Sequence, residues 1–158
     1  MTFTKSPRLL TTLALLLVAA VSGAAAAKAT SKTPDLSNLT EESWVPLMKP
    51  SPLPAIAAIE GDPMSGPFMA YLKLPAGFES PPHSHSNDYW AVLVQGKMTH
   101  WAADGGSEAT SKQLGVGDLV HMPAKVPHIS KCYPAEPCVV VIMEKGKFDF
   151  IPTNAPKK

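Results

Sequence analysis

Proline and glycine punctuate the chain from Pro46 to Pro152, and that punctuation decides most of what it can fold into. Between Ser43-Trp44-Val45-Pro46 and Pro50-Ser51-Pro52-Leu53-Pro54 the prolines exclude a helix interior and confine any strand to an edge. The runs that follow are short and β-like. Ala55 to Glu60, Pro67 to Leu74, Tyr89 to Val94, Lys97 to Ala102, Leu119 to Met122, Val126 to Cys132 and Val139 to Glu144 are separated by turn residues such as Gly61-Asp62-Pro63, Pro75-Ala76-Gly77 and Leu114-Gly115-Val116-Gly117-Asp118. Asp104-Gly105-Gly106 reads as a hairpin turn, and Tyr89 to Val94, apolar on both faces, as a strand buried on both sides. With no amphipathic helix and no internal repeat, the pattern predicts an all-β barrel or double-sheet jelly roll.

The N-terminal part has a different character. Lys5 and Arg8 precede an apolar run from Leu9 to Val21, and Ser22 to Ala27 supply small residues. This is the layout of a secretory signal peptide over residues 1–27, and the apolar run is shorter than the roughly 20 residues a membrane span needs. Residues 28–42, rich in Lys, Ser, Thr and Pro, read as a flexible leader. Residues 43–151 then form a single domain, and 152–158 a flexible tail. The expected location is periplasmic or secreted, with no stable membrane span after signal cleavage.

Without residues 1–27, which hold two of the 14 basic residues and none of the 13 acidic ones, 12 basic residues face 13 acidic ones. A nearly neutral chain lacks the clustered basic excess of nucleic-acid or anionic-membrane binders. Cys132 and Cys138 are the only cysteines. In an exported protein they are free to oxidise, and antiparallel pairing of the flanking runs predicts a disulfide across Tyr133 to Pro137. Met48, Met64, Met69, Met98, Met122 and Met143 are scattered, as core gap-fillers are, rather than grouped as thioether ligands.

The chemistry centres on His83-Ser84-His85. On a β-strand, histidines at i and i+2 project to one side and can share a metal ion. A third imidazole is needed, and the other histidines are His100, His121 and His128.

Gly77-x5-His83-x-His85-x3-Tyr89-x6-Gly96 resembles the first motif of the cupins, G-x5-H-x-H-x3,4-E-x6-G, with Tyr89 where the glutamate stands. Gly117-x5-Pro123-x-Lys125-x2-His128-x3-Cys132 resembles the second, G-x5-P-x-G-x2-H-x3-N, with Lys125 and Cys132 in place of the second glycine and the asparagine. More narrowly, Asn87-Asp88-Tyr89, Leu114 to Asp118, Pro127 to Cys132 and Gly146-Lys147-Phe148-Asp149-Phe150 resemble the small bacterial cupin family known as the domain of unknown function DUF4437. The resemblance covers roughly residues 45–151. It implies a cupin jelly roll, commonly a dimer, with His83, His85 and His128 as ligands of one divalent metal ion (Fe, Zn, Mn, Cu or Ni).

Three imidazoles without a carboxylate leave such an ion its full charge, so that it would polarise bound water or attract an anionic small molecule. Tyr89 shares the strand parity of the two histidines. A neutral phenol with a pKa near 10 is a poor ligand, so a hydrogen bond to substrate or a packing role is expected of it. Asp88 has the opposite parity, Glu79 reads as a surface carboxylate, and His100 and His121 read as packed or hydrogen-bonded strand residues, with orientation of a ligand imidazole as the alternative. Trp90 and Trp101 read as wall or core. The arrangement resembles that of cupin dioxygenases acting on thiols and diketones. Two functions follow: a metal-dependent, dioxygenase-like enzyme, or a non-catalytic cupin that binds a metal or small ligand.

Overall fold

A computed structural model of the chain describes residues 43–51 and 53–154. The expected signal peptide and leader, residues 1–42, and the end of the expected tail lie outside the described residues. Among those described, no helix is long and apolar enough to cross a membrane.

The described residues form eleven strands in order: β1 (Val45–Pro46), β2 (Ala55–Gly61), β3 (Phe68–Leu74), β4 (His83–Ser84), β5 (Tyr89–Gln95), β6 (Met98–Ala102), β7 (Gln113–Leu114), β8 (Leu119–Met122), β9 (His128–Cys132), β10 (Cys138–Glu144) and β11 (Ile151–Pro152). They form two antiparallel sheets, one in the order β1-β2-β3-β10-β5-β8 and the other β11-β4-β9-β6-β7. The long strands coincide with the apolar runs bounded by turn residues. The two-residue strands β1, β4, β7 and β11 exist only because a neighbour pairs with them.

The core lies between the sheets. On β10, Val140 and Ile142 stand opposite Leu72 and Ala70 of β3 and opposite Leu93 and Ala91 of β5, forming an inward row that Glu144 extends between Phe68 and Tyr89. Met98, Leu114 and Cys132 of the second sheet close on the same cluster. The alternate residues of β5, Trp90, Val92 and Val94, are only half-buried. β5 is therefore covered on one face alone, because the sheet is a single layer with solvent on its other side.

Two turn expectations need correction. Asp104-Gly105-Gly106 does not make a tight hairpin; it opens a longer loop holding a short 3-10 turn, Glu108–Thr110, before β7 pairs with β6. Cys132 and Cys138 are joined by a disulfide with Cα atoms 5.8 Å apart, but β9 and β10 belong to different sheets, so the bridge ties the layers together rather than spanning a paired hairpin. Gly96 is required beside it, since at φ +85° a Cβ would lie 2.8 Å from the Pro137 carbonyl oxygen and 3.0 Å from Cys138 Sγ. At the other end Pro152 pairs with His83, and the Thr153 amide donates to the Pro82 carbonyl at 3.0 Å. The start of the expected tail is thus part of the second sheet.

Candidate metal centre

His83 and His128 are directly opposite one another on β4 and β9. His85 lies one residue beyond β4, and the three imidazoles converge in the interior at 5%, 5% and 0% exposure. One ligand atom from each lies within 4.8 Å of the others. Metal–imidazole bonds of about 2.1 Å span at most about 4.2 Å between two nitrogens, so small ring movements suffice to close on one ion.

The hydrogen bonds behind the rings fit such an ion. Nδ1 of His83 donates to the Pro81 carbonyl at 2.9 Å, Nδ1 of His128 to the Val126 carbonyl at 2.9 Å, and Nδ1 of His85 to the Asp149 carbonyl at 2.5 Å. A carbonyl can only accept, so each ring carries its proton on Nδ1 and presents an Nε2 lone pair. Burial lowers all three pKa values, to about 4 for His85 and about 3 for His128, and neighbouring imidazoles lower those of His85 and His128 further. Neutral rings are the ligating form.

Tyr89 closes the group from β5. Its hydroxyl is 3.3 Å from Nε2 of His128 and 3.3 Å from Nε2 of His100, whose Nδ1 is 2.8 Å from the Ser130 hydroxyl. One assignment of protons satisfies all three contacts: Ser130 donates to His100, His100 to Tyr89, and Tyr89 to His128. Burial, with the nearby Glu144, drives the phenol pKa far above its ordinary value, so Tyr89 is neutral.

Of the remaining candidates, His121 is exposed, stacks on Trp90 with centroids 4.7 Å apart and sets Nε2 3.7 Å from Asp88, away from the cluster. Asp88 accepts from the Ala124 amide at 2.7 Å. Glu79 meets Lys131 at 3.4 Å, as a surface carboxylate does.

Three features were not singled out from the sequence as parts of the site. Phe150 stacks on His83 at 4.2 Å, Phe148 lies 5.5 Å from His85, and the backbone between them supplies the Asp149 carbonyl. Glu144 is 4% exposed, takes a 3.2 Å hydrogen bond from Asn87 on Oε1 and leaves Oε2 without a hydrogen-bond partner. Burial pushes its carboxyl up to about 7. Gly146 makes room for that contact, because a Cβ there would lie 2.3 Å from Asn87 Nδ2.

A cavity of about 250 Å³ opens onto the cluster and is lined by His83, His85 and Tyr89 together with an apolar wall from both sheets.

The cupin domain family matches residues 70–144, and that match together with the two-sheet fold supports the cupin superfamily. Among solved structures it is similar to DMSP lyase DddQ from Ruegeria pomeroyi (TM-score 0.56, 19% identity, covering 76% of this chain and 61% of that one). It is also similar to an RmlC-like cupin from Ralstonia eutropha (0.53, 23%, 71% and 66%) and to the polyketide cyclase RemF from Streptomyces resistomycificus (0.52, 16%, 65% and 72%). At these identities the likeness is one of fold. No curated protein matches the chain in sequence.

Proposed function

We propose that this cupin is an exported metal-dependent enzyme of the dioxygenase-like kind, in which His83, His85 and His128 hold one divalent ion beside a largely apolar cavity. The observation that carries the reading is that each of the three rings is tied through Nδ1 to a backbone carbonyl while one ligand atom from each lies within 4.8 Å of the others. The ion would supply Lewis acidity and open coordination positions for a small molecule. The chain's own part is to keep the imidazoles neutral and oriented, to exclude bulk water, and to hold a proton on the Tyr89 oxygen. Once Nε2 of His128 is committed to the ion, that hydroxyl is free to donate to a polar atom of the substrate.

Export belongs to the same reading, because the Cys132–Cys138 disulfide suits an oxidising compartment. The homodimer and the narrower DUF4437 kinship rest on the sequence motifs.

The alternative, a non-catalytic binder, is favoured by one observation: no Asp, Glu, Lys or Arg lines the cavity among the described residues, so Tyr89 and the imidazoles are the only proton-transferring groups there. The test is elemental analysis of protein purified from its native compartment, followed by oxygen uptake and product formation with diketones, thiols and small acids. One metal per chain with turnover supports the enzyme. Tight binding of metal or of a small molecule without turnover supports the binder, and absence of metal rejects the enzyme.

A further inference from the structure

The cavity specifies more about its occupant than the metal centre does. Its polar side chains are His83, His85, Tyr89, Ser80 and Ser130, which hydrogen bonds from Tyr89 to His100, His100 to Ser130 and Ser130 to Ser80 gather with the imidazoles into one group. Both serines there already make one hydrogen bond within the protein. Ser80 Oγ accepts from the Ser130 amide at 3.0 Å, and Ser130 Oγ meets His100 at 2.8 Å. The rest of the wall, including Leu72, Leu74, Met98, Val140 and Ile142, offers no hydrogen bond, and Phe148 and Phe150 continue it beside the imidazoles.

A charge carried away from the polar group would be set among apolar side chains with no cation among the lining residues to meet it, which is unfavourable wherever the charge does not reach solvent. Cavities of about 150 Å³ with similar walls take a benzene ring, so about 250 Å³ accommodates about ten non-hydrogen atoms. Resting on the metal-site reading above, we propose that the natural ligand is a compact molecule of about that size, with one Lewis-basic head directed at the three-histidine centre and an uncharged apolar body. This narrows the sequence-based expectation of an anionic substrate: any negative charge is confined to the head.

The test uses the full chain, metal-free and zinc-loaded, and calorimetric affinities for acetohydroxamate, hexanohydroxamate, octanohydroxamate and the mono-hydroxamate of suberic acid, whose far end is a carboxylate. Affinity for the zinc form should rise about threefold or more per methylene up to hexanohydroxamate. The carboxylate-ended probe should lose that gain. Leu72→Phe should weaken octanohydroxamate about tenfold and leave acetohydroxamate unchanged. Affinity that ignores tail length, or equal affinity for the carboxylate-ended probe, overturns the proposal.

A metal-free arm separates the two readings. n-Butylbenzene should raise the melting temperature of metal-free protein, and no shift rejects the apolar occupant. A shift combined with hydroxamate affinities that zinc does not change rejects the three-histidine centre while leaving the apolar occupant in place.

Discussion

His83 faces His128 across the β4–β9 pair with ring centroids 4.3 Å apart, and each ring is fixed by a carbonyl two residues before it, Pro81 and Val126. Two proline-containing turns thus set two ligands in mirror fashion. His83→Ala and His128→Ala should each lower metal affinity by more than about 100-fold, since even losing a partner behind a ligand costs about 10–100-fold. The double variant should bind more weakly than either single one, since only His85 remains. Elemental analysis after dialysis checks this, with exposed His121→Ala as the control that keeps its metal; loss of metal from the control, or retention by either single variant, counts against the shared centre.

Tyr89→Phe deletes the hydroxyl between His100 and His128 and keeps the ring in the core. Metal content should hold, while turnover of any identified substrate should fall about 100-fold or more if the hydroxyl transfers a proton. Loss of metal together with activity would instead make Tyr89 a ligand.

Acid should destabilise the metal-free protein. The folded state holds His85 and His100 at about 4 and His128 at about 3, against 6.5 for exposed imidazole, with burial the first cause in each. Above pH 6.5 both folded and unfolded chains are neutral at these rings and their contribution is fully present. As pH falls from 6.5 toward 4 the unfolded chain takes up protons first, and stability is lost, on the order of 3 kcal/mol per ring. Urea midpoints at pH 7, 6 and 5 should fall in that order, and a flat or rising series contradicts the burial of neutral imidazoles.

Glu144 works in the opposite direction. Its folded pKa, about 7, lies above the ordinary 4.5, so from pH 4.5 to 7 the unfolded chain releases a proton that the folded chain retains, and stability declines as pH rises. Glu144→Gln keeps an acceptor for Asn87 and removes the titration. The variant's advantage over the parent should grow between pH 6 and pH 8, reaching about 2–3 kcal/mol. A constant difference across that range would show that Glu144 titrates normally.

Replacing Cys132 and Cys138 together by Ser should cost about 2 kcal/mol, the chain-entropy contribution of so short a loop. His128 is held by Val126 and the β4 pairing rather than by the bridge, so metal content should be unchanged. Non-reducing denaturation curves of parent and variant, with metal assayed on both, measure the two effects.

Much of this was legible in the chain before any coordinates. The long strands follow from apolar runs cut by glycine and proline, and His83, His85 and His128 from two spaced motifs. The short strands β4 and β11 carry no period of their own; pairing of Ile151 and Pro152 with Ser84 and His83 creates them. Glu144 had a readable signal, since it keeps the parity of Val140 and Ile142 at the end of an apolar run. The Asp149 acceptor had none. It is a backbone oxygen, and every residue has one; only folding selects which meets His85. The disulfide was legible as a pair, but that it joins two sheets depends on strand order, which local sequence does not encode.

The Asp149 carbonyl that orients His85 comes from a segment 64 residues further along the chain. One arm of the site is therefore borrowed from the far end of the sequence: a change that loosens residues 148–150 would free His85 to take either tautomer while His83 and His128 keep their own acceptors. Damage far from the histidines in sequence can thus cost the site one of its three donors.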